Sequence, residues 1–161
     1  MKVKYTNGCI CDSLTIDDNE TVDMELNEIR DITCKLYDRY ADDNETFERA
    51  ITDYIDQGDY PQCDDEDVVI ANRNIVIGGK EIKLKHTYIR LDEYIHIDND
   101  AGNEIPHAEL KKFGYECLKL QTDTASLQGM IIEIIEKHGL YEYIGHCDCC
   151  GDTIVEYTLT I

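Results

Sequence analysis

The chain is poor in positive charge. Its 161 residues include 15 Lys and Arg against 35 Asp and Glu, a formal net charge of −20. A surface this negative repels phosphate backbones, which excludes direct binding of DNA or RNA. No apolar stretch approaches the ~20 residues that a membrane-spanning helix needs. The opening residues, Met1-Lys2-Val3-Lys4-Tyr5-Thr6-Asn7-Gly8, lack the apolar run of a secretory signal. The expected location is therefore the cytoplasm. There are two prolines, no internal repeat and no low-complexity linker. Chemistry-bearing motifs are scarce too. No Ser, His and acid grouping suggests acyl transfer, and no G-x-x-x-x-G-K run suggests nucleotide binding. Gly78-Gly79-Lys80 reads as a hairpin turn. His86, His96 and His107 share no metal-ligand spacing and read as ordinary strand or turn histidines. The chain is accordingly not expected to be an enzyme.

What the sequence does hold is acid, isoleucine, tyrosine and cysteine. The acid is uneven: residues 1–67 carry 20 acids and 6 bases, and residues 68–161 carry 15 and 9. Such a surface attracts a protein with a basic surface, although acidity also serves solubility alone.

The apolar pattern implies an α+β fold. Val22, Leu26, Ile29, Thr33, Leu36 and Tyr40 recur at helical steps, and Phe47, Ala50, Ile51, Tyr54 and Ile55 do so again before Gly58. These two runs suggest an N-terminal helical hairpin over 20–58. Asp42 or Asp43 is placed to cap its second helix. An antiparallel sheet is expected over 67–121, with strands near 67–72, 74–77, 80–89, 91–97 and 116–121 and a short helix over 106–112. One further long helix spans 124–138, with Gly139 just past its end. Strands at 141–145 and 153–161 close the chain. The expectation is one acidic zinc-binding domain over 1–161. Within it, 122–161 joins 1–16 through a zinc-knuckle turn that brings the chain ends together.

Eight cysteines in a reducing compartment point to metal. Cys147 and Cys150 have C-x-x-C spacing with Gly151 directly after. In a zinc knuckle, two thiolates so spaced face one ion, and the glycine takes the backbone shape of the tight turn. Zinc takes four ligands, and Cys9 with Cys11, a second close pair after a short strand, is the expected other half. Four thiolates with no open position make a structural zinc site. Cys149 inside the turn, His146 beside it and Cys63 in the acidic loop are alternative ligands. A redox C-x-x-C is a further alternative, although such motifs open helices and the residues from Thr153 favour strand.

In its size, its acidity and its Cys147–Gly151 turn, the chain resembles accessory proteins of Firmicute phages or mobile elements. More specifically, it resembles the anti-CRISPR proteins that inhibit type II Cas9 nucleases. That group shares no common fold or motif, so the resemblance carries over no functional residues. It implies an inhibitor that covers a basic channel of Cas9, or of its guide RNA complex, and blocks DNA loading or target binding. The contact residues would then be Asp17, Asp18, Asp42, Asp43, Asp64, Asp65, Glu66 and Asp67. A zinc-ribbon adaptor or structural module binding another host protein is the alternative reading.

Overall fold

Four helices carry the same burial pattern. In α1 (Leu26–Tyr40) the buried residues are Ile29, Ile32, Thr33, Leu36 and Tyr37. In α3 (His107–Leu120) they are Leu110, Phe113, Gly114, Cys117 and Leu118. In α4 (Thr124–His138) they are Leu127, Met130, Ile131, Ile134 and Ile135. The same steps of three and one recur in α2 (Asn44–Gly58) at Phe47, Ala50, Ile51, Tyr54 and Ile55, with Thr46 and Thr52 added. Each stripe is one apolar face of a 3.6-residue helix. The computed structural model describes residues 1–8, 12–58, 62–63, 68–89, 92–97 and 104–161, apart from the side chains at 62, 63, 68–70 and 89. Among the described residues it is an α+β fold of four α-helices and two antiparallel sheets.

The backbone groups into two compact units. The first comprises Met1–Asp42 and Thr122–Ile161, and the second Asp43–Gln121. In the first, β1 (Lys2–Asn7), β2 (Ser13–Ile16), β3 (Asn19–Glu20), β8 (Leu140–His146) and β9 (Thr153–Thr160) form a sheet in the order β3-β2-β1-β9-β8. The first and last strands are antiparallel neighbours, from Lys2 opposite Thr160 to Asn7 opposite Val155. Val3, Tyr5, Leu14, Ile16 and Leu159 are buried on one face of this sheet, and α1 and α4 pack on each other within the same unit. A single 3-10 turn (Thr21–Asp23) leads into α1. Asp123 caps α4 by accepting from the Ala125 N–H at 3.0 Å.

In the second unit, β4 (Gln62–Cys63), β5 (Val68–Ile77), β6 (Lys80–Ile89) and β7 (Asp92–Ile97) form a sheet in that order. Gly78 and Gly79, both with positive φ, make the two-residue turn between β5 and β6. Helix α2 lies on β5 and β6 and packs against α3. Arg73 of β5 donates from Nη1 to the Tyr54 carbonyl (2.8 Å) and holds its guanidinium 3.8 Å from the centre of the Tyr54 ring.

Within its unit α1 packs on α4, and within the other α2 packs on α3. Periodicity marks a face to be covered but does not choose the partner. Two expectations are corrected. The short helix at 106–112 and the strand at 116–121 are one helix, α3. Gly114 lies inside this helix. Glycine is there because a Cβ at 114 would lie 3.1 Å from the Phe47 side chain, so α2 and α3 approach closely. Finally, the strands near 67–72 and 74–77 are one continuous strand, β5.

Candidate metal centre

The β8–β9 hairpin presents the cysteine turn at its tip. His146 pairs with Thr153, and the six residues between them fold back on themselves. The Cys147 N–H donates to the Asp152 carbonyl, and the Gly151 N–H donates to the Cys147 carbonyl, both at 2.8 Å. Gly151 has φ +75°, a left-handed conformation that favours glycine. The backbone N–H groups of Cys149 and Cys150 point at the Cys147 sulfur.

The sulfurs of Cys147, Cys149 and Cys150 lie within 4.8 Å of one another. Cys147 Sγ is 3.0 Å from Cys149 Sγ. Cys147 is covered by its own turn, whereas Cys149 and Cys150 are exposed. The hydrogen bond with the Cys149 thiol, and then the amides of Cys149 and Cys150, bring the Cys147 thiol down to about 6. The turn is at the molecular surface, so burial opposes that shift only weakly. The chemical result is a soft, partly preformed thiolate cluster that can hold a metal ion. Three donors on one turn leave a fourth coordination position to be filled from elsewhere.

The spacing singled out Cys147 and Cys150, and the structure brings both to the cluster. It adds Cys149, and the signal for it was the run Cys147-Asp148-Cys149-Cys150 itself. His146 is not part of the group; its ring stands edge-on to Tyr143 with centroids 5.8 Å apart. Cys9 and Cys11 lie outside the described residues, as does the Cys63 side chain. Their neighbour Gly8 is described: it lies against Ile154 at the start of β9, and its N–H donates to Asp12 Oδ1 at 2.7 Å. Cys117 is buried on α3, and burial pushes its thiol up to about 12, so it is a core residue.

The acidic candidates fall into different roles. Asp17 and Asp18 are exposed and form the two-residue turn between β2 and β3. Asp17 Oδ1 accepts the Lys2 N–H at 2.8 Å, so this carboxylate is part of the fold. Asp42 is exposed. Asp43 accepts the Thr46 N–H at 2.7 Å and caps α2, as one of the two expected caps. Asp64, Asp65, Glu66 and Asp67 lie outside the described residues. Among those described, no helix is long and apolar enough to cross a membrane. No protein-family profile, curated protein or solved structure matches this chain.

Proposed function

We propose that the protein is a binding protein whose cysteine turn holds a structural zinc ion and whose acidic surface docks on a basic surface of another protein. The specific form proposed is an inhibitor of a Cas9-type nuclease that blocks DNA loading or target binding, an anti-CRISPR activity. One observation carries the acidic docking: every acid from Asp12 to Asp42 is exposed, ten in all, against three bases in the same stretch. So one-signed a surface complements a channel built to hold nucleic acid. Binding of this kind weakens as salt rises. The test is cleavage of a target duplex by Cas9 and its guide RNA with this protein in large excess. Inhibition at modest salt that fades at high salt is expected. Undiminished cleavage at modest salt removes the Cas9 reading.

The donor set supports zinc. Cys147, Cys149 and Cys150 supply soft thiolates, and the amides around Cys147 stabilise its charge. Cys9 or Cys11 is proposed as the source of the remaining thiolate, since Gly8 leads to them from a position against β9. Bound zinc would tie the hairpin tip into the fold and take no part in a reaction. Metal analysis of purified protein should find one zinc per chain, reduced in Cys147→Ser, Cys149→Ser and Cys150→Ser and in one of Cys9→Ser and Cys11→Ser. Full zinc content in Cys147→Ser would refute the assignment.

A second reading, an adaptor that binds a different protein through the hairpin, has an observation of its own. Leu140, Tyr141, Tyr143 and Ile144 are all more than half exposed on β8, the outer strand of its sheet among the described residues. Exposed apolar groups gathered on one strand mark interaction surfaces. A partner lost on Tyr143→Ser but retained in acid-to-amide variants of residues 12–42 would select this reading over the first.

A further inference from the structure

A second cluster of titratable groups lies in the other unit. His86 stands on the face of β6 that α2 covers, and no part of it is exposed. Its Nδ1 is 2.9 Å from Asp56 Oδ1, in the last turn of α2. Its Nε2 is 2.5 Å from Glu93 Oε1 on β7. Tyr88, two residues further along β6, donates its hydroxyl to Asp56 Oδ2 at 3.3 Å, and its ring centroid lies 4.0 Å from that of His86. The other residues opposite His86 in the sheet, Ala71 of β5 and Ile95 of β7, bring no charge. The groups facing the ring from its described neighbours are therefore two carboxyls and a phenol.

Proton counting limits what this cluster can be. A neutral imidazole has one N–H and one lone pair, and an ionised carboxylate only accepts. With a carboxylate oxygen at each ring nitrogen, a neutral ring leaves one contact as two acceptors facing each other. The imidazolium donates to both, and each bond is charge-assisted. It also balances one of the two negative charges held beside a buried ring. Burial by itself pushes the imidazole pKa down, but the hydrogen bonds and charges of Asp56 and Glu93 outweigh it, and the net direction is up.

We propose that Asp56, His86 and Glu93 form a proton-held clasp. While the ring is doubly protonated it ties the end of α2 to β6 and β7. Loss of that one proton sets a neutral ring against two carboxylates and loosens α2. The sign follows from linkage: the folded form binds the proton more tightly than the unfolded chain. The stabilisation is complete below the ordinary histidine value of about 6.5 and is lost as pH rises through the higher folded value. Folding near neutral pH thus takes up a proton at a place where the spacing of the histidines suggested nothing.

Nitrogen-detected NMR of the full chain tests this without a variant. The expected result is a His86 ring with both nitrogens protonated at pH 7 and a titration midpoint above 6.5. Hydrogen exchange of the amides in the last turn of α2 should quicken as the ring deprotonates. Glu93→Gln, at a half-exposed position, should move the midpoint down, each pH unit being a tenfold loss of proton affinity. A neutral ring with a single N–H at pH 7 overturns the clasp. So does a midpoint at or below that of an unstructured histidine, or exchange in α2 that is indifferent to the titration.

Discussion

The two adjacent aspartates of the β2–β3 turn invite a substitution that separates fold from function. Asp17 and Asp18 have φ of +49° and +68° and are the central residues of a two-residue hairpin. A turn of that kind favours Asn-Gly or Gly-Gly, and an L-residue with a side chain is strained there by roughly 1–2 kcal/mol, less for Asp. The two positions differ in what the side chain does. Asp17 Oδ1 accepts the Lys2 N–H, and the Asp17 N–H donates to the Lys2 carbonyl, both at 2.8 Å. Asp18 has no hydrogen bond of its own among the described residues. Asp17→Ala should therefore lose about 1 kcal/mol of hydrogen bonding and add about 1 kcal/mol of left-handed strain. The total of about 2 kcal/mol corresponds to a fall in Tm of roughly 4–8 °C for a chain of this length. Asp18→Gly relieves strain while adding about 0.5–1 kcal/mol of unfolded-chain entropy, so its stability should stay within about 1 kcal/mol of the parent. Urea unfolding followed by circular dichroism measures both. Equal losses in the two variants would refute the division of roles. If the acidic surface binds a partner, Asp18→Gly should weaken that binding without weakening the fold.

Three other outcomes follow from single contacts. Arg73→Met removes a charged hydrogen bond and a cation–π contact to Tyr54 and should cost about 2–3 kcal/mol in urea unfolding, whereas Arg73→Lys should recover only part of it. Cys117, buried with its thiol raised to about 12, should resist a disulfide reagent at pH 8 in the native protein and react once urea unfolds it. Gly151→Val forces a β-branched residue into φ +75° and should weaken metal binding at least tenfold in competition with a chelator, while Gly78→Asn, at the β5–β6 turn of the other unit, should leave it unchanged.

Much of the secondary structure was legible because apolar spacing reports which face of an element is covered. The stripes Phe47–Ile55 and Leu127–Ile135 and the Gly78-Gly79 turn were all readable on that ground. Spacing does not report what covers the face. Four helices with the same stripe can pair in several ways, and the pairs that form within the two units are α1 with α4 and α2 with α3. The β1–β9 pairing lies between the first and last strands, and strand composition alone does not reveal it. A site shared by Cys9, Cys11, Cys147 and Cys150 required those strands to be neighbours, and the structure supplies that neighbour relation independently of any metal. Gly114 shows a related limit: a glycine in a helix usually argues against the helix, and here it answers a contact with Phe47 that exists only once the unit has folded.

The two clusters differ in legibility for a physical reason. The thiolate turn is local, with all three sulfurs falling within four residues, so its geometry is nearly a property of the sequence. The Asp56–His86–Glu93 cluster draws on a helix and two strands, with separations of 30 and 7 residues. Its one local sign is period two: His86 and Tyr88 follow Ile82 and Leu84 on the inward face of β6, and Glu93 shares the inward face of β7 with Ile97. A polar residue continuing an apolar alternation is either an error of register or a group with a buried partner. In a chain with 35 acids that partner is most readily a carboxylate, and a second is within reach. The excess acid thus has two consequences. On the first unit it leaves a run of exposed carboxylates, the surface proposed above to meet a basic partner. Within the second it turns a buried histidine into a bound cation, so the net charge is part of how the second unit holds together.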